Sequence, residues 1–297
     1  MTARRRLLAG LCGLGAFGLA RPILARTYAD TVNTVGENLD ELRAKGRIRI
    51  AFYRDFAPFS YEDADGHWAG IDVEIAGLIA KSLGLGLDLM PIQAGETVDD
   101  DLRNAVWRGT PIDKSWANLL LHVPVSRELE VRNELVAIFG AYHVEKLALA
   151  LDPARIEGGA FSLDLLSGHT IGVELDTLGD FYLSMTAGGR FREATRRFHG
   201  TGEAVAALVA GEVAAVIAPA GQIEGLLGPE RGRFELLTDV FPGLAVTSWS
   251  VGCAVRENAR DLGYAVGDIV AAAVKNGTMA GIFGRHGVTY RAPVVME

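Results

Sequence analysis

A single histidine, His122, interrupts the apolar run "NLLLHVPV" at residues 118–125. An apolar run of this length predicts a buried strand, and the histidine falls near its carboxyl end. Open α/β sheets bind ligands beyond the carboxyl ends of their strands, where an imidazole can donate, accept or transfer a proton. A lone histidine on an apolar strand is equally well explained as a core residue. The sequence therefore leaves two interpretations of His122 open, a cleft residue and a core residue.

Metal-binding and cofactor-binding patterns are absent from the sequence. The histidines lack the spacing of metal ligands; they are His67, His122, His143, His169, His199 and His286. The chain has no nucleophile elbow, no P-loop and no dinucleotide-binding glycine motif. We therefore predict no metal site, no cofactor and no catalytic residue.

Helix-forming stretches separate the predicted strands. The segment "GIDVEIAGLIAKSL" has apolar residues at helical spacing over 72–83, and the carboxylate of Asp72 is predicted to cap the amino terminus of this helix. Strands are predicted where short apolar or β-branched runs lie between turn signals. The predicted strands include 47–53, 86–92, 118–125 and 170–175.

Strands and helices alternate in two similar halves of the chain. Such alternation predicts an α/β protein with mainly parallel sheets. The chain is predicted to cross between the halves near 140–147 and near 240–248. Two crossings predict two lobes joined by a hinge of two crossovers.

The first 25 residues have the layout of a secretory signal peptide. A basic start precedes an apolar run from Leu7 to Ala20, and the small residue Ala25 stands before "RTYAD". The arginines leave both the Sec and the twin-arginine export routes open. Cys12 lies in this segment, so the exported chain keeps only Cys253 and has no internal disulfide. We therefore predict a periplasmic protein.

The composition predicts a folded, acidic protein. Of the 297 residues, 49% are hydrophobic, which is enough to bury a sizeable core. Without the four arginines of the signal segment, 25 basic residues stand against 37 acidic ones, a formal charge of −12. This charge disfavours nucleic acid and anionic membranes as partners. The chain is predicted to be a monomer without membrane insertion.

Four segments, taken in order, resemble the family 3 periplasmic solute-binding proteins. They are "RIRIAFYRDFAPFSYEDADGHWAGIDVEIAGLIAKSLGL", "SLDLLSGHTIGVELDTLGDFYL", "GEAVAALVAGEVAAVIAPA" and "VKNGTMAGIFGRHG". The resemblance implies a type II, two-lobe periplasmic binding protein fold with a small-molecule ligand in the cleft. The expected domains are a signal peptide at 1–25, a first lobe at 26–142 and 246–297, and a second lobe at 143–245.

The resemblance also implies an aromatic ligand contact. Phe56 stands two residues before a proline, where this family has an aromatic residue that stacks on the ligand. A phenyl face offers a large apolar contact at a low cost in conformational entropy. Tyr53 is expected to narrow the pocket or to provide a hydroxyl group.

Two anion-binding residues follow from the same resemblance. The family binds an anionic group with the arginine of a T-x-x-R motif, and counting back from Tyr142 assigns this role to Arg132. Arg127 competes for the role, and a solvated surface arginine is the alternative for both. Thr177, at a predicted helix amino terminus, is expected to bind an anion through its hydroxyl. The predicted ligand-binding residues are Tyr53, Phe56, His122, Arg132 and Thr177.

The segment "AAVIAPAG" departs from the family pattern. Relatives that bind α-amino acids usually have aspartate where Ala214 and Pro219 stand here, and the second aspartate pairs with the ammonium of the ligand. Proline has no side-chain acceptor, and a buried ammonium without a partner costs several kcal/mol. The sequence therefore disfavours an ordinary amino acid as the ligand.

Three functions are compatible with these features. The first is a binding protein, not an enzyme, that delivers a small polar or carboxylate-bearing solute to an ABC permease. The second is an accessory protein of a quinoprotein (methanol or alcohol) dehydrogenase, with the dehydrogenase or its cytochrome as partner. The third is a periplasmic dehydratase on the same fold, with Glu174, Asp176 and His122 as candidate acids or bases.

Overall fold

The computed structural model describes residues 37–156 and 162–293, so the predicted signal peptide lies outside the described residues. The helices are α1 Leu39–Lys45, α2 Ile71–Leu83, α3 Val98–Leu102, α4 Arg127–Arg132, α5 Leu178–Met185, α6 Thr201–Val209, α7 Ala220–Leu227, α8 Arg260–Lys275 and α9 Thr278–Arg285. A π-helical turn, Arg103–Trp107, continues α3, and 3-10 turns lie at Leu163–Leu166, Thr186–Gly189, Gly228–Arg233 and Glu257–Ala259. Among these described helices, none combines the length and the hydropathy needed to span a bilayer.

Eleven strands accompany these helices in the described residues. They are β1 Arg47–Tyr53, β2 Tyr61–Glu62, β3 Trp68–Ala69, β4 Gly86–Ile92, β5 Leu119–Pro124, β6 Val136–Leu151, β7 Ile171–Glu174, β8 Thr195–Phe198, β9 Ala215–Pro219, β10 Glu235–Thr238 and β11 Ser248–Arg256. β2 and β3 form a separate hairpin, and the other strands form one sheet.

Strand β1 is central to the first half of the sheet. It pairs in parallel with β4 along its whole length and with β5 on its other side. Strand β11 then runs antiparallel to both β5 and the first part of β6. Because β1, β4 and β5 run in the same direction, their carboxyl ends meet at one edge of the sheet.

The second half of the sheet has the same plan around β7. This strand pairs in parallel with β8 and β9. Strands β9 and β10 run antiparallel to the last part of β6, so β6 belongs to both halves. The predicted crossing near 140–147 falls within this shared strand.

Helices cover the faces of both halves. In α2, Ile71, Ile75 and Ile79 recur every four residues and are fully buried beneath α8 and α9. In the second half, α6 and α7 bury apolar side chains such as Leu208 and Ile223 against the sheet. Because the helices occupy the faces, the carboxyl ends of the strands remain accessible.

Helix α7 packs directly against the loop that follows β1. A Cβ atom added at Gly225 would lie 2.7 Å from Cβ of Pro58, and one added at Gly221 would lie 2.8 Å from Cζ of Phe59. Gly221 and Gly225 are four residues apart and therefore share one face of the helix. Only glycine permits this close approach between the two halves of the molecule.

Candidate functional site

A cleft of about 660 Å³ lies at the carboxyl ends of the parallel strands. Residues at or directly after the ends of five strands line it, and those strand ends are Tyr53, Ile92, Pro124, Glu174 and Phe198. Strand ends of this kind are where open α/β sheets bind ligands. The cleft takes its walls from both halves of the sheet.

Tyr53 and Phe56 form an aromatic wall of the cleft. The ring of Phe56 meets that of Tyr53 edge to face, with 6.1 Å between centroids, and stacks on the buried ring of Phe59 at 5.1 Å. Aromatic pairs of this geometry hold each ring in a defined orientation. Both residues thus lie where the sequence analysis expected them, and their contact with a ligand stays a prediction.

A buried carboxylate fixes the hydroxyl of Tyr53. The hydroxyl donates to Oδ2 of Asp101 at 2.9 Å, and the backbone N–H of Gly95 donates to Oδ1 of the same carboxylate at 2.7 Å. Burial raises the pKa of Asp101 above its usual value. Burial and the neighbouring carboxylate raise the pKa of Tyr53 well above its usual value, so Tyr53 remains a neutral donor.

His122 lies at the base of the cleft in a closed ring of hydrogen bonds. The backbone N–H of His122 donates to the hydroxyl oxygen of Tyr142 at 2.9 Å, and that hydroxyl donates to Oδ1 of Asp72 at 3.0 Å. The other oxygen, Oδ2, lies 3.1 Å from Nδ1 of His122. Asp72 and Tyr142 are fully buried, while His122 keeps 7% of its surface exposed and lines the cleft.

This ring selects the tautomer of His122. An ionised carboxylate only accepts hydrogen bonds, so Nδ1 of His122 carries the proton that faces Asp72. Within the described residues, Nε2 has no hydrogen-bond partner, and it is the nitrogen left for the cleft. In the neutral imidazole Nε2 is an acceptor, and an Asp–His pair of this kind also suits a general base.

The backbone of His122 is strained. Its φ of +60° lies in the left-handed region, although the residue stands inside β5. For a residue with a bulky side chain this conformation costs of the order of 1–3 kcal/mol, and such residues cluster at functional sites. His122 is thus both largely buried and part of the cleft lining, and its contact with a ligand stays a prediction.

The predicted N-cap role of Asp72 is wrong. The backbone N–H groups of Ile71 and Asp72 donate to the carbonyl oxygens of Pro58 and Phe59, at 3.1 and 2.8 Å, and Asp72 lies inside the first turn of α2. The cap position belongs to Gly70, which has a φ of +119°. A Cβ atom added at Gly70 would lie 2.7 Å from the carbonyl carbon of Phe59, so only glycine fits there. Because the backbone already satisfies the helix start, the Asp72 carboxylate is available to His122.

The spacing of apolar residues in the sequence indicates that the Asp72 carboxylate is buried. Asp72 stands three residues before Ile75 and seven before Ile79, and therefore lies on the apolar face of α2. A charged residue on such a face is seldom buried without a partner. The partner itself, 50 residues away along the chain, could not be identified from spacing.

Glu174, at the end of β7, places a carboxylate from the second half of the molecule in the cleft. Its Oε2 accepts from the backbone N–H of Thr201 at 2.9 Å and from the Thr201 hydroxyl at 2.7 Å. Thr201 is the first residue of α6, so this carboxylate occupies the positive end of the helix dipole. Within the described residues Oε1 has no hydrogen-bond partner, and Glu174 lines the cleft.

The structure does not bring Thr177 to the cleft wall. Its hydroxyl donates to the carbonyl oxygen of Glu174 at 2.7 Å and is thereby used within the turn before α5. The nearby N–H of Asp176 donates to Asp180, a carboxylate from the first turn of the same helix. The predicted anion-binding role of Thr177 is therefore not supported by its position.

Arg132 also lies away from the residues that line the cleft. Its guanidinium contacts Glu128 at 2.7 Å and Asp99 at 3.4 Å on the surface, and 52% of the side chain is exposed. The competing Arg127 pairs with Glu130, also at the surface. Charge pairing along and beside α4 thus explains both arginines as surface residues.

The hydrogen bonds of α4 suggest a different register for the T-x-x-R motif. Ser126 is the N-cap of α4, and its side chain accepts from the N–H of Leu129. If Ser126 takes the threonine position, the arginine position three residues later is the buried Leu129. Counting from Tyr142 gives Arg132 instead, three residues later, and neither Arg127 nor Arg132 is among the residues that line the cleft.

Among the described residues, one group of side chains has the proximity of metal ligands, and it lies outside the cleft. Asp63, Asp65 and His67 are all exposed in the turn between β2 and β3. The carboxylate of Asp63 accepts from the N–H groups of Asp65 and His67, at 2.9 and 2.8 Å. These bonds explain the cluster as a stabilised turn.

Sequence comparisons give both a family and individual relatives. Residues 48–107 match the bacterial extracellular solute-binding proteins, family 3. The chain is 22% identical over 281 residues to the L-cystine-binding protein TcyJ of Escherichia coli, a match that covers 91% of each chain. It is 42% identical over 68 residues to the cyclohexadienyl dehydratase of Pseudomonas aeruginosa, covering 23% of this chain and only 25% of the dehydratase.

Comparison of folds extends the likeness to most of the molecule. An ancestral cationic amino acid solute-binding protein, AncCDT-1, superposes with a TM-score of 0.65 at 18% identity, covering 84% of this chain and 99% of the other. At this identity the likeness establishes the fold, which is the predicted two-lobe α/β binding-protein fold. The match over residues 48–107 and the shared fold together confirm the predicted resemblance to the family 3 bacterial extracellular solute-binding proteins.

Proposed function

We propose that this protein is a periplasmic solute-binding protein that presents a small polar solute to an ABC permease. The observation that carries the proposal is the cleft, which both halves of the sheet line at their strand ends. Its aromatic wall and its convergent polar groups are typical of small-molecule sites. Export by the signal peptide at 1–25 and a monomeric state belong to the same proposal.

A hinge between two lobes is the second part of the proposal. The proposed lobes are 26–142 with 246–297, and 143–245, and the described strand β6 spans the proposed boundary between them. Closure of such lobes around a ligand allows the permease to distinguish loaded from empty protein. Small-angle scattering tests this part: a bound solute that leaves the scattering curve unchanged would count against closure.

A thermal-shift screen of the purified protein tests the proposed function. The panel contains amino acids, amines, dicarboxylates, aromatic acids, and a quinoprotein dehydrogenase with its cytochrome. A ligand at a hundred times its dissociation constant stabilises the folded state by about 2.7 kcal/mol, which is readily detected. A shift with a small solute supports the receptor. A shift with the dehydrogenase alone would instead favour the accessory role.

Substitutions in the cleft are expected to separate binding residues from surface residues. We expect Phe56→Ala and His122→Ala each to weaken the selected solute at least tenfold, because both side chains line the cleft. Arg132→Ala is expected to leave the affinity within about twofold, because this arginine is paired at the surface. Calorimetric titration measures all three. An unchanged affinity in both cleft variants would contradict the site.

A proton-transfer enzyme is the second candidate function. The Asp72–His122 pair that faces the cleft favours it, and so does the local 42% identity to a cyclohexadienyl dehydratase. The ranking is lower because the cleft is rich in carboxylates, which repel an anionic substrate. Incubation with a cyclohexadienyl carboxylate, followed by ultraviolet absorbance, tests it. Turnover that is lost in His122→Ala would replace the receptor proposal.

A further inference from the structure

The charge of the cleft is opposite to what a carboxylate-bearing solute requires. The carboxylates that line it are Asp55, Glu96, Asp101, Glu174 and Glu203. The only arginine or lysine among the described lining residues is Arg54, whose guanidinium is 3.1 Å from Asp55. Five carboxylates against one paired guanidinium create a negative potential in a concave site, which concentrates cations and excludes anions.

Three backbone N–H groups beside the cleft already donate to carboxylates of the protein. Glu174 accepts from the first N–H of α6, and Glu203 accepts from the N–H of His199 just before that helix, at 3.2 Å. In the first lobe, Asp101 accepts from the N–H of Gly95. Helix amino termini and free backbone N–H groups are the usual anion sites of such folds. Here carboxylates of the protein itself, those of Glu174, Glu203 and Asp101, occupy three such sites where an anionic ligand would bind.

The described cleft lacks both side chains that the resemblance assigns to α-amino acid binding, an arginine for the carboxylate and an aspartate for the ammonium. Arg132, which was expected to hold the carboxylate, and its competitor Arg127 both lie outside the lining residues and pair with carboxylates at the surface. The aspartate that would hold the α-ammonium is replaced by Pro219. An α-amino acid would therefore bring its carboxylate into a site of negative potential whose one described arginine is already paired with Asp55.

The groups that remain available are acceptors and aromatic faces. Oε1 of Glu174 and Nε2 of His122 both lack partners among the described residues, and they belong to different halves of the sheet. Phe56 and Tyr53 supply rings that can attract a cation through their quadrupoles. Charged and aromatic acceptors in two lobes suit a solute with donor groups at both ends.

We propose that the cleft binds a small organic cation without a carboxylate, an amine or guanidine with a donor group at each end. This inference rests on the proposed receptor function. Glu174 is the expected partner of the charged group in the second lobe, and Phe56, Tyr53 and His122 receive the solute in the first. Closure of the lobes then brings acceptors from both sides onto one ligand.

Matched pairs of solutes test the inference by calorimetric titration of the purified protein. Agmatine is compared with L-arginine, and cadaverine with L-lysine, because each pair differs by one carboxylate. We expect the decarboxylated member to bind at least tenfold more tightly in at least one pair, with an affinity that falls as salt is raised. In Glu174→Gln, which keeps an acceptor for Thr201, that affinity is expected to fall at least tenfold. Glu235→Gln, at an exposed position in β10, is the control and is expected to change nothing.

The outcomes distinguish this inference from the proposed function. Tighter binding of the amino acid in both pairs, or of a dicarboxylate, would overturn the inference, and would leave the receptor function intact if Phe56→Ala abolished that binding. Binding of agmatine or cadaverine that is unchanged in Glu174→Gln would overturn the assigned partner. The absence of binding by every solute of the panel would count against both proposals.

Discussion

Replacement of Asp72 by alanine is expected to lower the free energy of unfolding by about 3–5 kcal/mol. The carboxylate is fully buried and is the acceptor for both the Tyr142 hydroxyl and Nδ1 of His122. Its removal leaves two buried donors without a partner and a small cavity beside them. Equilibrium unfolding in urea, followed by circular dichroism, measures the change.

Two further variants make this prediction specific. Asp268→Ala is the matched control, because Asp268 is exposed on α8 and the same substitution there is expected to alter stability by less than about 0.5 kcal/mol. Tyr142→Phe removes one member of the ring and is expected to cost about 1–3 kcal/mol. Equal losses for Asp72→Ala and Asp268→Ala would show that the ring of hydrogen bonds does not stabilise the fold.

The second large effect is expected at the glycine face of α7. Gly225→Ala places a methyl group within 2.7 Å of the Pro58 side chain and 3.2 Å of the carbonyl oxygen of His286. Relief of this overlap requires α7 and the loop after β1 to move apart, at a cost of about 1–3 kcal/mol. The same urea experiment measures the loss.

Gly77→Ala in α2 provides the control with the opposite sign. A methyl group at Gly77 meets no atom within 4 Å, so the substitution is expected to stabilise the protein by about 0.5–1 kcal/mol through helix propensity. If both glycine variants changed stability in the same direction, the close contact between α7 and Pro58 would not be the cause. A loss in Gly225→Ala alone supports it.

The regular elements could be predicted because they depend on local patterns. Strands predicted at 47–53 and 86–92 have those bounds in β1 and β4, and the strand predicted at 118–125 is β5 with one residue fewer at each end. Apolar periodicity and turn residues determine such elements over a few positions. The order of these elements and their motifs then indicated the family resemblance, and the resemblance predicted the fold.

The site was predicted only in part because its contacts are distant in sequence. Asp72, His122 and Tyr142 lie 50 and 20 residues apart and meet only through the packing of α2 on the sheet. The sequence predicted a side-chain cap at the start of α2. The backbone carbonyl groups of Pro58 and Phe59, in the preceding loop, accept from its first N–H groups instead. The role of Asp72 therefore depends on partners whose positions in space the sequence does not give.

Arg132 and Thr177 illustrate the same difficulty for motifs. A motif position was transferred to Arg132 by counting residues, and the structure places that side chain at the surface, paired with Glu128 and Asp99. Thr177 does stand at a helix amino terminus, yet its hydroxyl turns back to the carbonyl of Glu174. Sequence spacing predicts where a residue lies along an element, and the direction of its side chain depends on the neighbours that compete for it.

Amide hydrogen exchange with and without the solute that gives the largest thermal shift tests the central claim most directly. A solute bound in the cleft is predicted to slow exchange in 53–56 and 93–98 of one lobe and in 199–203 of the other. Slowed exchange in one lobe only, or in the separate groove between α8 and β6 beside Phe139 and Tyr264, would contradict the claim that the cleft is the binding site.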